Sequence, residues 1–239
     1  MKYQQWSIPE LPAGAVDRLT GAGYPYLVSS VLASRGITTP EEAAAFLERD
    51  RDLPYSPFLM KDMDKAAQRV SRALAGGEKI AVFGDYDVDG ITSACLVTSF
   101  LRAKGLDCEP YIPDRMEEGY GLNPIAIHQL HAEDVKLIVT VDCGVTAAQE
   151  AGYAASLGMD MVITDHHECH GPLPSACAVV NPKRSDCSYP FKELAGVGVA
   201  FKLVTALEYT KRRRAGQDTD GFLQSICRKY IDLAAIGTV

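Results

Sequence analysis

The loop GDYDVDG at residues 84–90 constrains the fold of this chain more than any other stretch, because three aspartates lie there between two glycines. An apolar run at residues 80–83 precedes the loop, and a helical pattern at residues 91–104 follows it. That order predicts a strand, a tight turn and the start of a helix. In an open parallel sheet, ligands bind at such a place, beyond the carboxyl ends of the strands.

The spacing of the three aspartates predicts a cation site. On an extended backbone, Asp85, Asp87 and Asp89 would point to the same side, because side chains alternate along a strand. Like charges held together are costly unless a positive group joins them, and carboxylate oxygens suit magnesium or manganese. The alternative, an acidic turn that caps a helix, explains one aspartate better than three. A calcium-binding EF-hand loop is excluded, because Leu96 stands where that loop requires glutamate.

The wider pattern predicts an α/β fold with a doubly wound, mostly parallel five-stranded sheet and an N-terminal helical extension. Residues 1–77 carry only helical patterns. Residues 78–239 alternate between short apolar runs and helical patterns, as the βα units of a doubly wound sheet do. We therefore predict a helical region over residues 1–77 and a sheet domain over residues 78–239. The predicted strands are residues 80–83, 108–112, 137–141, 161–164 and 178–180, and the predicted helices between and after them are residues 91–104, 124–131, 146–157 and 197–212.

Polar clusters follow three of these predicted strands. The acidic loop follows the first strand, Asp142 follows the third, and Asp165, His166 and His167 follow the fourth. Because parallel strands end at the same edge of a sheet, one crevice would collect all three clusters. A single aspartate there is commonly a helix cap, and a lone histidine in a turn is usually a surface residue. Three clusters together indicate metal ligands and a catalytic partner.

Two further segments follow the remaining strands. In the loop at residues 112–122, Arg115 and Tyr120 are candidates to contact a phosphate and a sugar or base, with an ordinary glycine-containing loop as the alternative. After the fifth strand, Asn181 and Lys183 are predicted to bind substrate, and Arg184 is a second candidate for the phosphate. The alternative for this segment is an ordinary basic turn.

The last predicted helix has distinctive ends. Gly196 and Gly198 at its start permit close approach of the backbone to a ligand or to the sheet. The basic run at residues 211–214 is predicted to be a solvated helix end, where cations complement the helix dipole. A nucleic-acid contact at that end is the alternative.

Composition limits the class of protein. The chain of 239 residues is 47% hydrophobic and carries a formal net charge of −7. General nucleic-acid binders are usually basic, so any nucleic-acid contact is expected from local patches or bound metal. The seven cysteines form no CxxC pair, which predicts reduced thiols in a cytoplasmic protein. No run approaches the roughly 18 apolar residues of a membrane helix, so we expect no membrane association.

The combination of GDYDVDG at residues 84–90, VDCG at residues 141–144 and DHH at residues 165–167 resembles the DHH phosphoesterase superfamily. Residues 112–122 and 181–203 are similar to its RecJ branch of 5′-to-3′ single-strand-specific DNA exonucleases. The resemblance implies two manganese or magnesium ions and hydrolysis of single-stranded DNA in repair and recombination. It further implies these roles: Asp87, Asp89, Asp142 and His166 as metal ligands, His167 as the catalytic contact to the scissile phosphate, and Asp85 and Asp165 as close support.

The resemblance also has departures and alternatives. That family carries a further metal-binding aspartate directly after a Gly-Thr-Val segment, which here occupies residues 237–239, and it continues into two more domains. We therefore expect an N-terminal fragment with weak occupancy of one metal site. The alternatives are a DHH phosphodiesterase for short oligonucleotides, cyclic dinucleotides or pyrophosphate, and a non-catalytic nucleic-acid-binding member. The expected partners are single-stranded DNA and a single-stranded DNA-binding protein, and the chain is expected to be monomeric.

Overall fold

The computed structural model describes residues 10–47, 55–114, 119, 121–217 and 222–239. These residues fall into two compact units, residues 10–47 and residues 55–239. In the first unit, Leu19, Leu32 and Ala43 form a small shared core. That core joins three helices: α1 (Ala15–Gly21), α2 (Tyr26–Ser34) and α3 (Pro40–Leu47).

Helix α3 begins with hydrogen bonds between side chains and backbone N–H groups. The hydroxyl of Thr39 accepts a hydrogen bond from the backbone N–H of Glu42 at 3.2 Å. In return, the Glu42 carboxylate accepts from the backbone N–H groups of Thr39 at 3.1 Å and Thr38 at 2.8 Å. This reciprocal arrangement is a capping box, which satisfies N–H groups that the helix itself leaves without acceptors.

The second unit contains the predicted parallel sheet. Its five strands are all paired in parallel and stand in the order β2-β1-β3-β4-β5. The order reverses between β1 and β3, so the carboxyl ends of these two strands border the crevice in which open α/β sheets bind ligands. The strands are β1 (Ile80–Phe83), β2 (Cys108–Tyr111), β3 (Leu137–Val141), β4 (Asp160–Thr164) and β5 (Ala178–Val180).

Helices cover both faces of this sheet. Ile80 and Val82 of β1 point into one core and Ala81 and Phe83 into the other, so the strand is apolar throughout. Four helices pack on the first core: α4 (Met63–Gly76), α5 (Val88–Arg102), α8 (Gly196–Arg214) and α9 (Phe222–Thr238). Two helices pack on the second: α6 (Pro124–Ala132) and α7 (Ala148–Ser156).

Two helices add to the predicted organisation. Helix α4, which we predicted as part of the helical region, packs in the sheet unit through Met63 and Val70; the domain boundary at residues 77 and 78 stays a prediction. Helix α9 was missed, although Phe222, Ile226 and Tyr230 recur every four residues on its buried side. In the described part of the chain, no helix has the length and apolar character to cross a membrane.

Candidate metal centre

The acidic loop after β1 places Asp85 and Asp87 at the crevice. Asp85 is 4% exposed, and burial raises the pKa of its carboxyl. The Asp87 carboxylate accepts a hydrogen bond from the N–H of Gly90 at 2.9 Å and caps α5. Helix α5 therefore begins at Val88, and Asp89 lies in its first turn. The predicted extended alternation of the three aspartates is wrong, because capping by Asp87 starts the helix before Asp89.

Asp89 instead faces the start of another helix. Its Oδ2 accepts a hydrogen bond from the N–H of Gly196 at 2.7 Å, and its Oδ1 accepts one from Val197 at 2.6 Å. These are the first two residues of α8, where unpaired N–H groups and the helix dipole favour an anion. Nε2 of His166 lies 3.7 Å from Oδ2 of Asp89, so this carboxylate joins α5, α8 and the DHH turn.

Asp142 follows β3 and lies at the centre of the cluster. It is 1% exposed and has a left-handed backbone with φ of 60°. Within the described residues, its buried Oδ1 receives no well-directed hydrogen bond, although Nε2 of His166 lies 3.0 Å away. Burial raises the pKa of Asp142 to about 6, and the Asp142 carboxylate in turn raises the pKa of His166.

Asp165 organises the DHH turn. Its Oδ2 accepts from the N–H of Val145 at 2.8 Å. Its Oδ1 accepts from the backbone N–H groups of His166 at 2.7 Å and His167 at 3.0 Å, and lies 2.8 Å from Nδ1 of His167. Burial acts to raise the pKa of Asp165, but these contacts hold it below its ordinary value. Asp165 raises the pKa of His167 and leaves Nε2 as the ring nitrogen that can meet a ligand.

The geometry suits divalent cations. Ligand atoms of Asp85, Asp87 and Asp142 lie within 4.8 Å of one another, and so do those of Asp142, His166 and His167. Asp142 belongs to both groups, so its carboxylate would contribute to binding at each of them. Buried carboxylates held this close together are costly without a bound cation. Oxygen ligands with one imidazole suit manganese or magnesium.

The predicted substrate-binding residues have different environments. Asn181 is fully buried, its Nδ2 donates to the carbonyl of His167 at 2.9 Å, and its Oδ1 accepts from the N–H of Lys183 at 2.8 Å. Its amide therefore braces the DHH turn, and a substrate contact by Asn181 stays a prediction. Lys183 lies beside it, with Nζ 3.2 Å from Glu168 and 3.8 Å from Glu193. Arg115 and Tyr120 lie outside the described residues.

Arg184 is a structural residue, and its candidacy as a phosphate ligand is wrong. It is 7% exposed. Two of its nitrogens each lie 2.8 Å from a different oxygen of Asp186, and Nη1 lies 2.7 Å from Asp62 and donates to the carbonyl of Val179. The guanidinium is thus surrounded by acceptors from its own fold. Sequence proximity to Lys183 does not reveal this, because Asp62 is 122 residues away.

A cavity of about 350 Å³ adjoins the cluster on the side of His167 and was not predicted from the sequence. Two loops form it, the one after β3 and the one after β4. Its lining includes Val145, Thr146, Glu168 and His170 as well as Asp165 and His167. The cavity has room for part of a substrate next to the exposed imidazole of His167.

The family model described as "DHH family, N-terminal domain" matches residues 79–238. The chain belongs to the DHH family. It is 45% identical over 214 residues to the single-stranded-DNA-specific exonuclease RecJ of Bacillus subtilis (strain 168), covering 89% of this chain and 25% of that protein. It is 38% identical over 221 residues to RecJ of Escherichia coli (strain K12). That alignment covers 91% of this chain and 37% of the Escherichia coli protein.

Crystal structures of RecJ proteins share this DHH fold. RecJ of Thermus thermophilus in complex with Mn²⁺ superposes with a TM-score of 0.68 at 29% identity, covering 98% of this chain and 31% of that one. An exonuclease RecJ bound to manganese superposes with a TM-score of 0.64 at 35% identity. The match covers 77% of this chain and 44% of that one. The chain thus spans less than half the length of each of these relatives.

Proposed function

We propose that this chain carries the catalytic metal centre of an exonuclease that hydrolyses single-stranded DNA from its 5′ end. One observation carries the proposal most: the buried Oδ1 of Asp142 lies 3.0 Å from Nε2 of His166, within reach of further carboxylates. The similarity to RecJ proteins of Bacillus subtilis and Escherichia coli supports single-stranded DNA as the substrate.

The residues that we propose to hold two divalent ions are Asp87, Asp89, Asp142 and His166, the set that the resemblance implies. Oδ2 of Asp89 lies 3.7 Å from Nε2 of His166. Asp85 would support them, with a carboxylate oxygen within 4.8 Å of those of Asp87 and Asp142. When bound, such ions supply an activated water and stabilise the charge that develops on the phosphate in an in-line displacement. The RecJ structures that contain Mn²⁺ or Mg²⁺ support these two metals. The carboxylates of Asp85 and Asp142, both buried, would be held in place by the strand ends that carry them.

His167 would act on the phosphate itself. Asp165 holds the proton on Nδ1 and orients the ring, so Nε2 faces the substrate. The contact with Asp165 raises the pKa of His167 and so favours its protonated form. A protonated His167 would donate to a phosphate oxygen or to the leaving oxygen. Asp165 and Asn181 would keep this ring in position through the hydrogen bonds of the DHH turn.

The net charge of the chain limits how it would bind DNA. Because the chain carries a formal net charge of −7, contact with DNA would come from bound cations and local groups such as Lys183 rather than from a general basic surface. We further propose a role in DNA repair and recombination in the cytoplasm, with a single-stranded DNA-binding protein as a partner and a monomeric enzyme.

The test is nuclease activity of the complete natural polypeptide that contains this chain, with Bacillus subtilis RecJ as the positive control. Substrates are single-stranded DNA labelled at either end, duplex DNA, a dinucleotide and a cyclic dinucleotide, each with Mn²⁺ and with EDTA. We expect metal-dependent release of nucleotides from the 5′ end of single-stranded DNA. Cleavage confined to the dinucleotides would replace the proposed substrate while keeping the metal chemistry.

Two variants complete this test. Asp89→Asn should abolish cleavage while the protein remains folded, and Asp232→Asn, an exposed carboxylate on α9, should leave activity unchanged. Near-normal cleavage by Asp89→Asn would contradict the two-metal assignment.

A further inference from the structure

We propose that Gly196 is a positioning residue for the metal centre. Its missing side chain allows the N-terminus of α8 to fix the Asp89 carboxylate directly beside Asp142. This inference rests on the proposed metal-dependent function, and it assigns a role to a residue that lies outside the DxDxDG, VDCG and DHH motifs.

The first observation is the absence of space at Gly196. A Cβ on this residue would lie 2.5 Å from Oδ1 of Asp142 and 2.7 Å from its Cγ, closer than real Cβ atoms come to such neighbours. The backbone of Gly196 is not left-handed, so alanine is excluded by this contact alone. Asp142 is 1% exposed and has little room to retreat. Only glycine therefore brings the helix end this close to a metal-binding carboxylate.

The second observation is what the close approach achieves. The N–H groups of Gly196 and Val197 donate to the two oxygens of Asp89 at 2.7 and 2.6 Å. The end of a helix carries roughly half a positive charge, so α8 offsets part of the repulsion between Asp89 and Asp142. The two hydrogen bonds also fix the Asp89 side chain with Oδ2 3.7 Å from Nε2 of His166. Metal affinity depends on such outer contacts, because they orient the ligands.

The third observation is that α8 cannot easily move away. Val197 is fully buried, and Gly237 of α9 packs against it: a Cβ at Gly237 would lie 2.9 Å from Cγ1 of Val197 and would overlap the hydroxyl of Thr92 on α5. Helices α5, α8 and α9 thus meet at this junction through glycine contacts. A methyl group at residue 196 would therefore displace the carboxylates rather than the helix.

The experiment measures Mn²⁺ binding to the 239-residue chain by isothermal titration calorimetry. We expect Gly196→Ala to weaken Mn²⁺ binding by about 10- to 100-fold, the usual effect of disturbing the contacts that orient metal ligands. The matched control is Gly198→Ala on the same helix, where a Cβ would approach only the flexible side chain of Leu194; its affinity should stay within about two-fold of wild type. Equal affinity of Gly196→Ala and wild type would overturn the proposal.

A second measurement reports on the hydrogen bonds without metal or activity. In the NMR spectrum of the metal-free chain, the amide protons of Gly196 and Val197 should lie downfield and move upfield in Asp89→Ala. Amide shifts that do not respond to Asp89→Ala would overturn the proposal. This measurement does not use Gly196→Ala, so it remains decisive even if that variant fails to fold. Wild-type chain that shows these shifts yet binds no Mn²⁺ would contradict the proposed function while leaving the Asp89–α8 contact established.

Discussion

Oδ1 of Asp165 lies 2.8 Å from Nδ1 of His167, and the same oxygen accepts the backbone N–H of His167 at 3.0 Å. One buried carboxylate oxygen therefore sets both the backbone and the ring of this residue. Since an ionised carboxylate only accepts hydrogen bonds, Nδ1 of His167 carries the proton in this contact. The exposed Nε2 is left to act on a substrate.

Asp165→Asn should uncouple this pair. We expect the rate of DNA hydrolysis to fall at least about 100-fold, because an acid–base group held in the wrong orientation loses most of its contribution. Asp165 raises the pKa of His167, so its loss lowers that pKa. The alkaline limb of the pH–rate profile, where His167 loses its proton, should move to lower pH. Steady-state rates measured across the pH range check this, and an unchanged profile would contradict the assigned role of His167.

Arg184 and its neighbour Lys183 should respond differently to loss of charge. Arg184→Met removes the guanidinium that bonds Asp62, Asp186 and the carbonyl of Val179, whereas Asp62 keeps Lys65 at 2.7 Å. The buried acceptors that lose this donor should lower the free energy of unfolding by about 1–3 kcal/mol. Lys183→Met removes only partly exposed ion pairs with Glu168 and Glu193, at a cost of about 1 kcal/mol or less.

Urea denaturation measures both stabilities, and binding of single-stranded DNA gives the second readout. Lys183→Met should weaken DNA binding and reduce its salt dependence. If Lys183→Met destabilises the fold as much as Arg184→Met, the division of these two cations into a surface group and a structural group is incorrect.

The buried Lys202 of α8 should make the folded chain more stable as the pH rises into the alkaline range. It is 6% exposed, and its Nζ donates to the carbonyl of Tyr55 at 2.6 Å. Burial lowers the pKa of Lys202 to about 8 from 10.5. Between these two values the unfolded chain holds a proton that the folded chain has released, so stability increases as pH rises. The full effect amounts to at most about 3 kcal/mol.

Lys202→Met isolates this effect from other titrating groups. The difference in unfolding free energy between Lys202→Met and wild type should favour the variant below pH 8 and shrink steadily towards pH 10.5. Urea denaturation at a series of pH values measures it. A constant difference across that range would show that the Lys202 ammonium is not desolvated in the folded state.

The sequence predicted the sheet and the strand ends well because those signals are local. Short apolar runs locate buried parallel strands, and Asp142 and Asp165 follow such runs directly. Parallel strands end at one edge, so the topology itself gathers the residues of the cluster.

Contacts between distant segments could not be predicted in the same way. The helix cap formed by Asp87 is a local feature, but it was missed because the DxDxD spacing also fits an extended strand. The contact of Asp89 with Gly196 spans 107 residues, and that of Arg184 with Asp62 spans 122. Such pairs depend on how α4, α5 and α8 pack, which periodicity does not specify. The glycine pair at the start of α8 indicated that the backbone of this helix approaches another group closely. It did not indicate that this group is the Asp142 carboxylate.

The most direct test of the central claim is the anomalous difference density of crystals soaked in Mn²⁺, recorded near the manganese absorption edge. The proposed centre predicts peaks within coordination distance of Asp87, Asp142 and His166, with Asp85 alongside. Those peaks should disappear in Asp142→Asn, because its carboxylate belongs to both ligand groups. Crystals that bind manganese elsewhere, or that show no peak at the carboxyl ends of β1, β3 and β4, would contradict the assignment of this crevice as a metal centre.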